Sequence, residues 1–444
     1  MEKIITTPCG RIKGYGCRIP GVTAYKGIRY ATAGRWEYPK VVTGWEGVYD
    51  AGSYGNCSYQ PRAFYNEEDN LKKIFYYNEF RRGESYTYSE DCLFLNVWTP
   101  DEADESSKLP VIVYIHGGGY TGGCGHEKHF DDPVWPTKGV IAVTINYRLG
   151  PLGFFCLPEL KDQAGHTGNY GLFDQLAALR WVKDNISSFG GDPDRVTVMG
   201  QSAGAMSVQI LCESAFAKGL FSSAVMSSGC GMGKMLMTDA EKVYPFWQKF
   251  MRMLGCSDVE ELRMVDPQLL FETWQSAKKK IKGGMASTFP VRDGVLVTKD
   301  SSPMDIPYIV GSNSHDIAPP ILYSMSKGWG KKRGLKNYAY MFDRMLPGDK
   351  NGAWHSADLW YWFGTLSNGW RPFEPKDYEI SDNMTTMLCN FAKNGTPNGE
   401  NMPHWTTSRE SEKVMCIGEG GVKMSKPSSL KLFVTMITNK SVGE

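Results

Sequence analysis

Short apolar runs that stop at glycine or polar residues recur along this chain and predict buried β-strands. The runs cover residues 111–115, 140–145, 196–199, 308–310 and 432–434. Continuous apolar runs of this length are typical of strands that are covered on both faces, as in a parallel sheet. We therefore predict a mostly parallel central sheet whose last strand lies at residues 432–434.

Between the second and third of these runs, the apolar pattern changes from continuous to helical. The residues that recur at spacings of three and four are Leu172, Leu176, Leu179, Val182 and Ile186. This spacing marks one face of a helix. Strands that alternate with helices predict an α/β fold in which helices cover both faces of the sheet. Functional sites in such folds lie at the carboxyl ends of the strands.

Composition favours one large globular domain. The chain has 444 residues, of which 41% are hydrophobic and 22% are charged, and these are ordinary values for a soluble protein. No Pro-rich, Ser-rich or charged segment is long enough to act as a linker, so we predict a single domain over residues 1–444. Helical excursions from this domain are expected around residues 231–288 and 317–350.

Charge and targeting signals exclude several function classes. The chain carries 49 basic and 48 acidic side chains, which gives no electrostatic case for binding nucleic acid or an anionic membrane. No signal peptide follows Met1, and no apolar run reaches the roughly 18 residues of a membrane span. We expect a monomeric cytoplasmic protein, and secretion stays open if a signal was removed.

The eleven cysteines show no paired metal-ligand spacing such as C-x-x-C. Free buried thiols in a reducing compartment are the simplest account of such a scattered, odd number. The sequence therefore gives no reason to expect a metal ion, and it contains no recognisable site for an organic cofactor.

The segment Gly-Gln-Ser-Ala-Gly at residues 200–204 carries the clearest chemistry. It follows the strand predicted at 196–199, and small residues suited to a helix follow it. A serine in such a tight strand-to-helix turn is exposed at the strand end, and glycines two positions away let strand and helix pass closely. Ser202 is therefore a candidate nucleophile.

A serine hydroxyl needs a base to take its proton and an acid to orient that base. Of the seven histidines, only His315, His355 and His404 follow Ser202 in the chain. Asp316 follows the strand predicted at 308–310, where an acid is well placed. Spacing favours Asp316 with His355 but leaves the other pairings open, and His404 lies in a turn that suggests a structural role.

The glycine run at 117–119 follows the strand predicted at 111–115 and suits an oxyanion hole. Glycines there let the main-chain N–H groups of Gly118 and Gly119 approach a substrate oxygen, and the N–H of Ala203 would complete the hole. A phosphate-binding loop is the alternative interpretation. It is disfavoured because no Gly-Lys-Ser/Thr follows the run.

With these residues in place, the chain resembles the type-B carboxylesterase family, which includes the cholinesterases. The resemblance covers nearly the whole chain. Its most specific motif is Glu-Asp-Cys-Leu-Phe-Leu-Asn at residues 90–96. Further matches lie at residues 26–31, 146–150, 189–193 and 289–294.

The resemblance implies an α/β-hydrolase fold and a serine carboxylesterase that needs no cofactor. It places Ser202 in the slot of the nucleophile, His355 in that of the base, and Asp316 in that of the acid, which is usually Glu. Gly118, Gly119 and Ala203 fall on the oxyanion donors, and Ser228 on a serine that supports the triad. Small-molecule or polymeric esters are the implied substrates. A non-catalytic adhesion scaffold of the same fold and an acyltransferase with the same triad are the alternatives.

Three departures from the family pattern change the expected specificity. Gln201 stands where the family often has Glu, which argues against cationic choline-like esters. The short interval between Asp316 and His355 predicts a reduced helical cap, and hence a wide, shallow cleft that admits bulky or aromatic esters. Cys57 and Cys92 fall where secreted relatives form a disulfide, and we expect both to be reduced here.

Two groups of side chains near the predicted site have more than one interpretation. The aromatic residues from Trp354 to Phe363, and Trp370 beyond them, are expected mainly to fill the core and partly to line the cleft. His126 and His129, just after the glycine run, are expected to be ordinary loop residues, with a position at the cleft rim as the alternative.

Overall fold

The computed structural model describes residues 2–71, 73–162 and 165–438. Its described strands are β1 (Glu2–Thr7), β2 (Gly10–Gly16), β3 (Val22–Arg29), β4 (Ala31–Thr32), β5 (Lys40–Val41), β6 (Val48–Asp50), β7 (Cys57–Ser58), β8 (Tyr88–Ser89), β9 (Phe94–Pro100), β10 (Leu109–Ile115), β11 (Ile141–Ile145), β12 (Gly191–Gln201), β13 (Ser223–Ser227), β14 (Thr238–Asp239), β15 (Val291–Arg292), β16 (Tyr308–Asn313), β17 (Asn337–Asp343), β18 (Val414–Gly418) and β19 (Gly421–Ser425).

Helices connect most of the central strands. They are α1 (Ile74–Phe80), α2 (Gly150–Phe154), α3 (Tyr170–Asn185), α4 (Ala203–Glu213), α5 (Met232–Leu236), α6 (Ala240–Met253), α7 (Val259–Arg263), α8 (Pro267–Lys280), α9 (Pro319–Gly328), α10 (Leu359–Phe363), α11 (Pro375–Asn394) and α12 (Ser429–Thr438).

One large sheet forms the centre of the molecule. Its strand order is β1-β2-β3-β9-β11-β10-β12-β13-β16-β17-β18-β19, with β6 paired to β2. The pairs from β11 through β10, β12, β13, β16 and β17 to β18 are parallel, whereas β1 to β11 on one side and β18–β19 on the other pair antiparallel. The sheet is therefore the mostly parallel α/β sheet that the apolar runs predict.

Alternate residues of the central strands pack into separate cores, because successive side chains of a strand point to opposite faces. On β10, Val111, Val113 and Ile115 lie in a cluster with residues of α3 and α4. Ile112 and Tyr114 lie in a second cluster with residues of α10 and α11. Helices thus cover both faces, which explains why β10 reads as one continuous apolar run.

The strands predicted at 111–115, 196–199 and 308–310 are confirmed within β10, β12 and β16, and the run at 140–145 forms β11 from residue 141 onward. The helical spacing between residues 172 and 186 corresponds to α3 and the turn that follows it. The strand predicted at 432–434 is wrong, because these residues lie in α12.

The apolar run in α12 misled the prediction for a physical reason. Leu432 is buried against strand residues, whereas Phe433 and Val434 are 50% and 48% exposed. One helix face is therefore buried and the run is not covered on both sides. A run of three apolar residues does not distinguish a strand from a helix, and the last strands of the described chain are β18 and β19 instead.

The two expected helical excursions differ in structure. Residues 240–280 contain α6, α7 and α8, which form a core of their own with residues next to α2, including Phe155, Trp247 and Phe271. Residues 317–350 contain only one α-helix, α9, and also strand β17 of the central sheet. Every residue of β17 except Asp343 is buried, because its alternate side chains pack into clusters on opposite faces of the sheet.

Two further predictions concern membrane spans and cysteine pairing. No helix among the described residues is both long and apolar enough to cross a membrane. All eleven cysteines are free thiols, including Cys57 and Cys92. Cys57 and Cys92 are therefore not paired with each other, as the sequence predicts.

Candidate active site

Ser202 occupies a strained turn between β12 and α4. Its backbone has φ 56° and ψ −123°, which is a sparsely populated region for a residue with a side chain. A Cβ added to Gly200 would lie 2.4 Å from the carbonyl oxygen of Gly204, and one added to Gly204 would lie 2.0 Å from that of Ile115. Glycine is required at both positions, and the turn leaves Ser202 partly exposed.

The glycine run after β10 forms a loop beside this turn. Gly118 and Gly119 have φ of 101° and 62°, which favours glycine. Among the described residues, neither of their N–H groups donates to a protein acceptor. The N–H of Ala203, the first residue of α4, also lacks an intrahelical acceptor. These three N–H groups are free to bind a developing negative charge.

His116 stabilises the glycine loop at 117–119 and takes no part in proton transfer. Its Nδ1 is 2.8 Å from the carbonyl oxygen of Gly117, and its ring stacks on Tyr147 at 4.4 Å. Burial lowers the pKa of His116 to about 4. The ring is therefore neutral near pH 7 and donates from Nδ1, which fixes the orientation of the glycine run.

Asp316 and His355 are hydrogen-bonded to each other, as their spacing predicts. The Nδ1 of His355 lies 2.5 Å from Oδ1 of Asp316. Asp316 follows β16 and is 2% exposed. The other two histidines after Ser202 lie elsewhere, since His315 contacts Ser314 and His404 is exposed. The structure thus brings one acid and one histidine together out of the pairings that were open.

The carboxylate of Asp316 receives three further hydrogen bonds that hold it in place. Ser228 donates from its hydroxyl to Oδ2 at 2.6 Å, and the N–H of Asn313 donates to the same oxygen at 3.1 Å. The N–H of Ile317 donates to Oδ1 at 2.8 Å. Ser228 therefore contacts the acid of the pair, and four hydrogen bonds in all, including that of His355, hold this carboxylate.

The pKa values of the pair move in opposite directions. Burial raises the pKa of Asp316, but the His355 ring and the hydrogen bonds lower it more, so the net pKa lies below 3.8. Burial lowers the pKa of His355, but Asp316 raises it more, so the net pKa lies above 6.5. The pair consists of a firmly ionised carboxylate and a ring made more basic by it.

Gln201 contacts the other nitrogen of the same ring. Its Nε2 lies 3.2 Å from Nε2 of His355. Because Nδ1 carries the proton shared with Asp316, Nε2 is the acceptor and the Gln201 amide is the donor. Gln201 is 3% exposed, so this neutral amide lies directly against the nitrogen that would take a proton from Ser202.

A second buried carboxylate, Asp358, lies behind the pair and was missed by sequence reasoning. It accepts hydrogen bonds from Ser227 at 2.7 Å, Tyr340 at 2.8 Å and Asn313 at 3.2 Å. Burial raises its pKa above the ordinary value. Its position three residues after His355 is the one sequence signal that pointed to it.

Ser202, His355 and the glycine run line one cleft with a volume of about 460 Å³. Its apolar wall includes Tyr76 and Phe80 of α1, Ile317 and Leu359. Among the described residues of the segment at 317–350, Ile317 alone lines the cleft. Helix α9 packs instead against α12 and the sheet, so it does not cover the cleft.

Charged residues on the cleft wall form a connected set of ion pairs. Arg62 contacts Glu127 at 2.5 Å, and Arg81 contacts Glu67 at 2.7 Å and Glu127 at 3.4 Å. Burial raises the pKa of Glu127, but the two arginines lower it by more, so the net pKa is about 2. Sequence reasoning missed this network because its members come from three separate segments.

The aromatic residues around His355 mainly fill the core. Trp354, Trp360 and Trp362 are fully buried in the cluster with α11, whereas Trp370 is 53% exposed. His129 lines the cleft, whereas His126 is buried and is not among the residues that line it. Both histidines are thus more buried than ordinary loop residues.

Comparison with known proteins places the chain in a family. Residues 1–333 and 320–432 match the model of the Carboxylesterase family. The protein therefore belongs to the carboxylesterase family, as the sequence resemblance indicates. Members share the α/β-hydrolase fold with a serine nucleophile, and the sheet described above has that architecture.

Two curated relatives illustrate the similarity. The para-nitrobenzyl esterase of Bacillus subtilis (strain 168) is 44% identical over 233 residues, which cover 51% of this chain and 44% of that protein. Carboxylesterase 1D of Rattus norvegicus is 31% identical over 425 residues, which cover 74% of each chain. The match to the bacterial enzyme thus spans less than half of its length.

A solved structure of a PNB esterase extends the similarity over the whole fold. It superposes with a TM-score of 0.81 at 27% sequence identity, covering 98% of this chain and 99% of that one. The similarity to an α/β-hydrolase structure therefore extends over 98% of the chain.

Proposed function

We propose that this carboxylesterase-family protein hydrolyses carboxylic esters through an acyl-enzyme intermediate. Ser202 is the nucleophile, His355 is the general base, and Asp316 orients the base. The observation that carries the proposal is the 2.5 Å hydrogen bond between Asp316 and Nδ1 of His355. This bond leaves Nε2 of the ring as an acceptor in the cleft that Ser202 lines.

The reaction follows from the placement of these groups. His355 takes the proton from Ser202 as the hydroxyl attacks the ester carbonyl, and the proton then passes to the departing alcohol. Water repeats the cycle on the acyl-enzyme and releases the carboxylic acid. Asp316 stays ionised and stabilises the charged ring, because its own pKa is held low.

The free N–H groups of Gly118, Gly119 and Ala203 stabilise the negative oxygen of each tetrahedral intermediate. Donors that are already aligned need no rearrangement when the charge develops, and losing one of them typically lowers turnover about 10²–10³-fold. Gln201 must release Nε2 of His355 before the ring accepts the proton of Ser202. Its amide can then serve as a neutral neighbour of the substrate.

Replacing Ser202 or His355 by Ala tests the proposal. We expect turnover of a short-chain aryl ester to fall by at least about 10³-fold in each, because the nucleophile and base act as a unit. The matched controls are Ser222→Ala and His404→Ala, whose side chains are exposed and do not line the cleft. The controls should keep wild-type turnover.

A rate near that of the wild type in Ser202→Ala or His355→Ala would remove that residue from the mechanism. Labelling with an organophosphate adds a second readout, since it reacts with an activated serine. We expect one label at Ser202 and none in Ser202→Ala. An unlabelled wild-type protein would favour a non-catalytic scaffold.

We further propose that the cleft admits bulky or aromatic esters of neutral charge. The support is the uncovered apolar wall at Tyr76, Phe80 and Ile317, together with an amide at Gln201 where a carboxylate would attract cations. The bacterial relative's name denotes a para-nitrobenzyl ester, an ester with an aromatic alcohol. Such esters are therefore suitable first substrates.

Narrowing the mouth of the cleft tests this specificity. Ile317 is 68% exposed and lines the cleft, so Ile317→Trp should lower kcat/KM for a para-nitrobenzyl ester about tenfold or more while sparing an acetate ester. Ile321→Trp is the matched control, because Ile321 is 41% exposed on α9 and lies outside the cleft wall. Equal losses on both esters in Ile317→Trp would contradict the open-cleft proposal.

A further inference from the structure

Two cysteines and a histidine converge beside the glycine run. Cys57 lies in β7, and Cys124 and His126 follow the run at 117–119 in sequence. The sulfur atoms and one ring nitrogen all lie within 4.8 Å of one another. The three residues are 0%, 1% and 8% exposed. The sequence did not reveal this cluster because its members come from two distant segments.

The spacing of the cluster fits direct coordination of a metal ion. Sγ of Cys57 lies 3.6 Å from Nε2 of His126. Ligands at roughly 2.3 Å for sulfur and 2.0–2.1 Å for nitrogen, at a tetrahedral angle, lie about 3.6 Å apart. Cys57 and His126 therefore already have the spacing that one bound ion requires, and Sγ of Cys124 lies within 4.8 Å of both ligand atoms.

The surroundings balance the charge of such an ion. Two thiolates and a neutral imidazole would neutralise a divalent cation, so no net charge would be buried. Arg62 donates from Nη2 towards Sγ of Cys124 at 3.8 Å, and its own charge is paired with Glu127 at 2.5 Å. A donor to a ligating sulfur is a common supporting contact in metal sites.

The orientation of the His126 ring is set by an aromatic neighbour. Its ring stacks on Tyr54 with centroids 4.5 Å apart and an angle of 9° between the planes. Its Nδ1 and the hydroxyl of nearby Tyr86 are buried without a hydrogen-bond partner among the described residues. Buried polar groups normally have partners. These two unpartnered groups beside the cluster therefore suggest that an ion or a polar ligand binds there.

We propose that Cys57, Cys124 and His126 bind one thiophilic d¹⁰ cation such as Zn²⁺, with water in the fourth position. The two thiol protons are released to solvent on binding, and no oxidation or reduction is involved. Three protein ligands and one open position form an established zinc arrangement.

The ion would stabilise the loop that carries the oxyanion donors. Gln60 already joins its segment to this loop through two hydrogen bonds with Gly123, at 2.9 and 3.0 Å. A metal bound by Cys57 and Cys124 would cross-link the same two segments. The ion thus acts on structure and is no reactant in the proposed ester hydrolysis, so its test does not depend on activity.

Titration of the reduced full-length protein with Cd²⁺, a spectroscopic substitute for Zn²⁺, tests the site. We expect a thiolate-to-metal charge-transfer band that saturates at about one equivalent. Saturating Zn²⁺ should raise Tm by about 2–5 °C, because it binds only the folded state. Cys57→Ala, Cys124→Ala and His126→Phe should each weaken binding at least about tenfold.

The variants are chosen to separate ligand loss from misfolding. His126→Phe keeps a ring against Tyr54 but lacks the nitrogen, and circular dichroism checks the fold of each variant. Cys389→Ala, a buried cysteine of α11, is the matched control and should keep the band. A wild-type protein without the band, a band unchanged in both Cys57→Ala and Cys124→Ala, or a pair that only oxidises to a disulfide would overturn the proposal.

Discussion

At the scale of single residues, Gln201 places a neutral amide, and no charge, against the base His355. His355 already has a raised pKa because of Asp316, and Asp358 raises it further. An amide against Nε2 adds no charge of its own. A carboxylate at the same position would stabilise the protonated ring, since an opposite charge within a few ångströms favours the charged form.

Gln201→Glu should therefore move the acid limb of kcat/KM to higher pH. His355 acts as a base only when Nε2 is unprotonated, so activity is lost as pH falls through its pKa. In the wild type this loss should be centred above pH 6.5, the ordinary value for histidine. In Gln201→Glu it should be centred higher still, by about one pH unit.

The measurement is a pH–rate profile on a neutral ester for both proteins. Gln268→Glu on α8 is the control, because Gln268 is exposed and the substitution adds the same charge away from the cleft. An acid limb that stays in place or moves to lower pH in Gln201→Glu would show that the amide does not lie beside the base in solution.

At the scale of elements, the turn from β12 into α4 depends on close approach to β10. A Cβ at Gly204 would lie 2.0 Å from the carbonyl oxygen of Ile115, and this contact is with backbone that cannot swing aside. The same approach holds the first turn of α4 beside the glycine run, so one packing contact positions both the serine and the oxyanion donors.

Gly204→Ala should destabilise the protein by about 1–3 kcal/mol, the usual range for overpacking, and also lower kcat. Urea unfolding and turnover of an aryl ester are the measurements. Gly328→Ala on α9 is the control, because nothing lies within 4 Å of its added Cβ and helical Gly→Ala changes usually stabilise. Equal stability in both variants would contradict the packing argument.

At the scale of the whole molecule, the sheet brings together residues that are far apart in sequence. Ser202, Ser228 and Asp316 follow β12, β13 and β16, which are neighbouring parallel strands. Ser227 pairs with both Gln201 and Gly311 in the sheet register. Hydrogen bonding along the sheet thus fixes the distances among the three strand ends.

The local parts of the site could be predicted from sequence, and the parts that depend on packing could not. The turn at Ser202 and the glycine run each consist of consecutive residues, so the sequence alone predicts them. The pairing of Asp316 with His355 followed from chain order and family motifs. The position of Asp358 and the cluster of Cys57, Cys124 and His126 depend on which distant segments meet. The helix α12 was missed because its apolar run is too short to show a period.

The neutral amide at position 201 also has an evolutionary consequence. Glutamine and glutamate codons differ by a single nucleotide, so one mutation would give this cleft a negative charge without altering any backbone contact. Under the proposed specificity, this single change would turn a preference for neutral esters towards cationic ones.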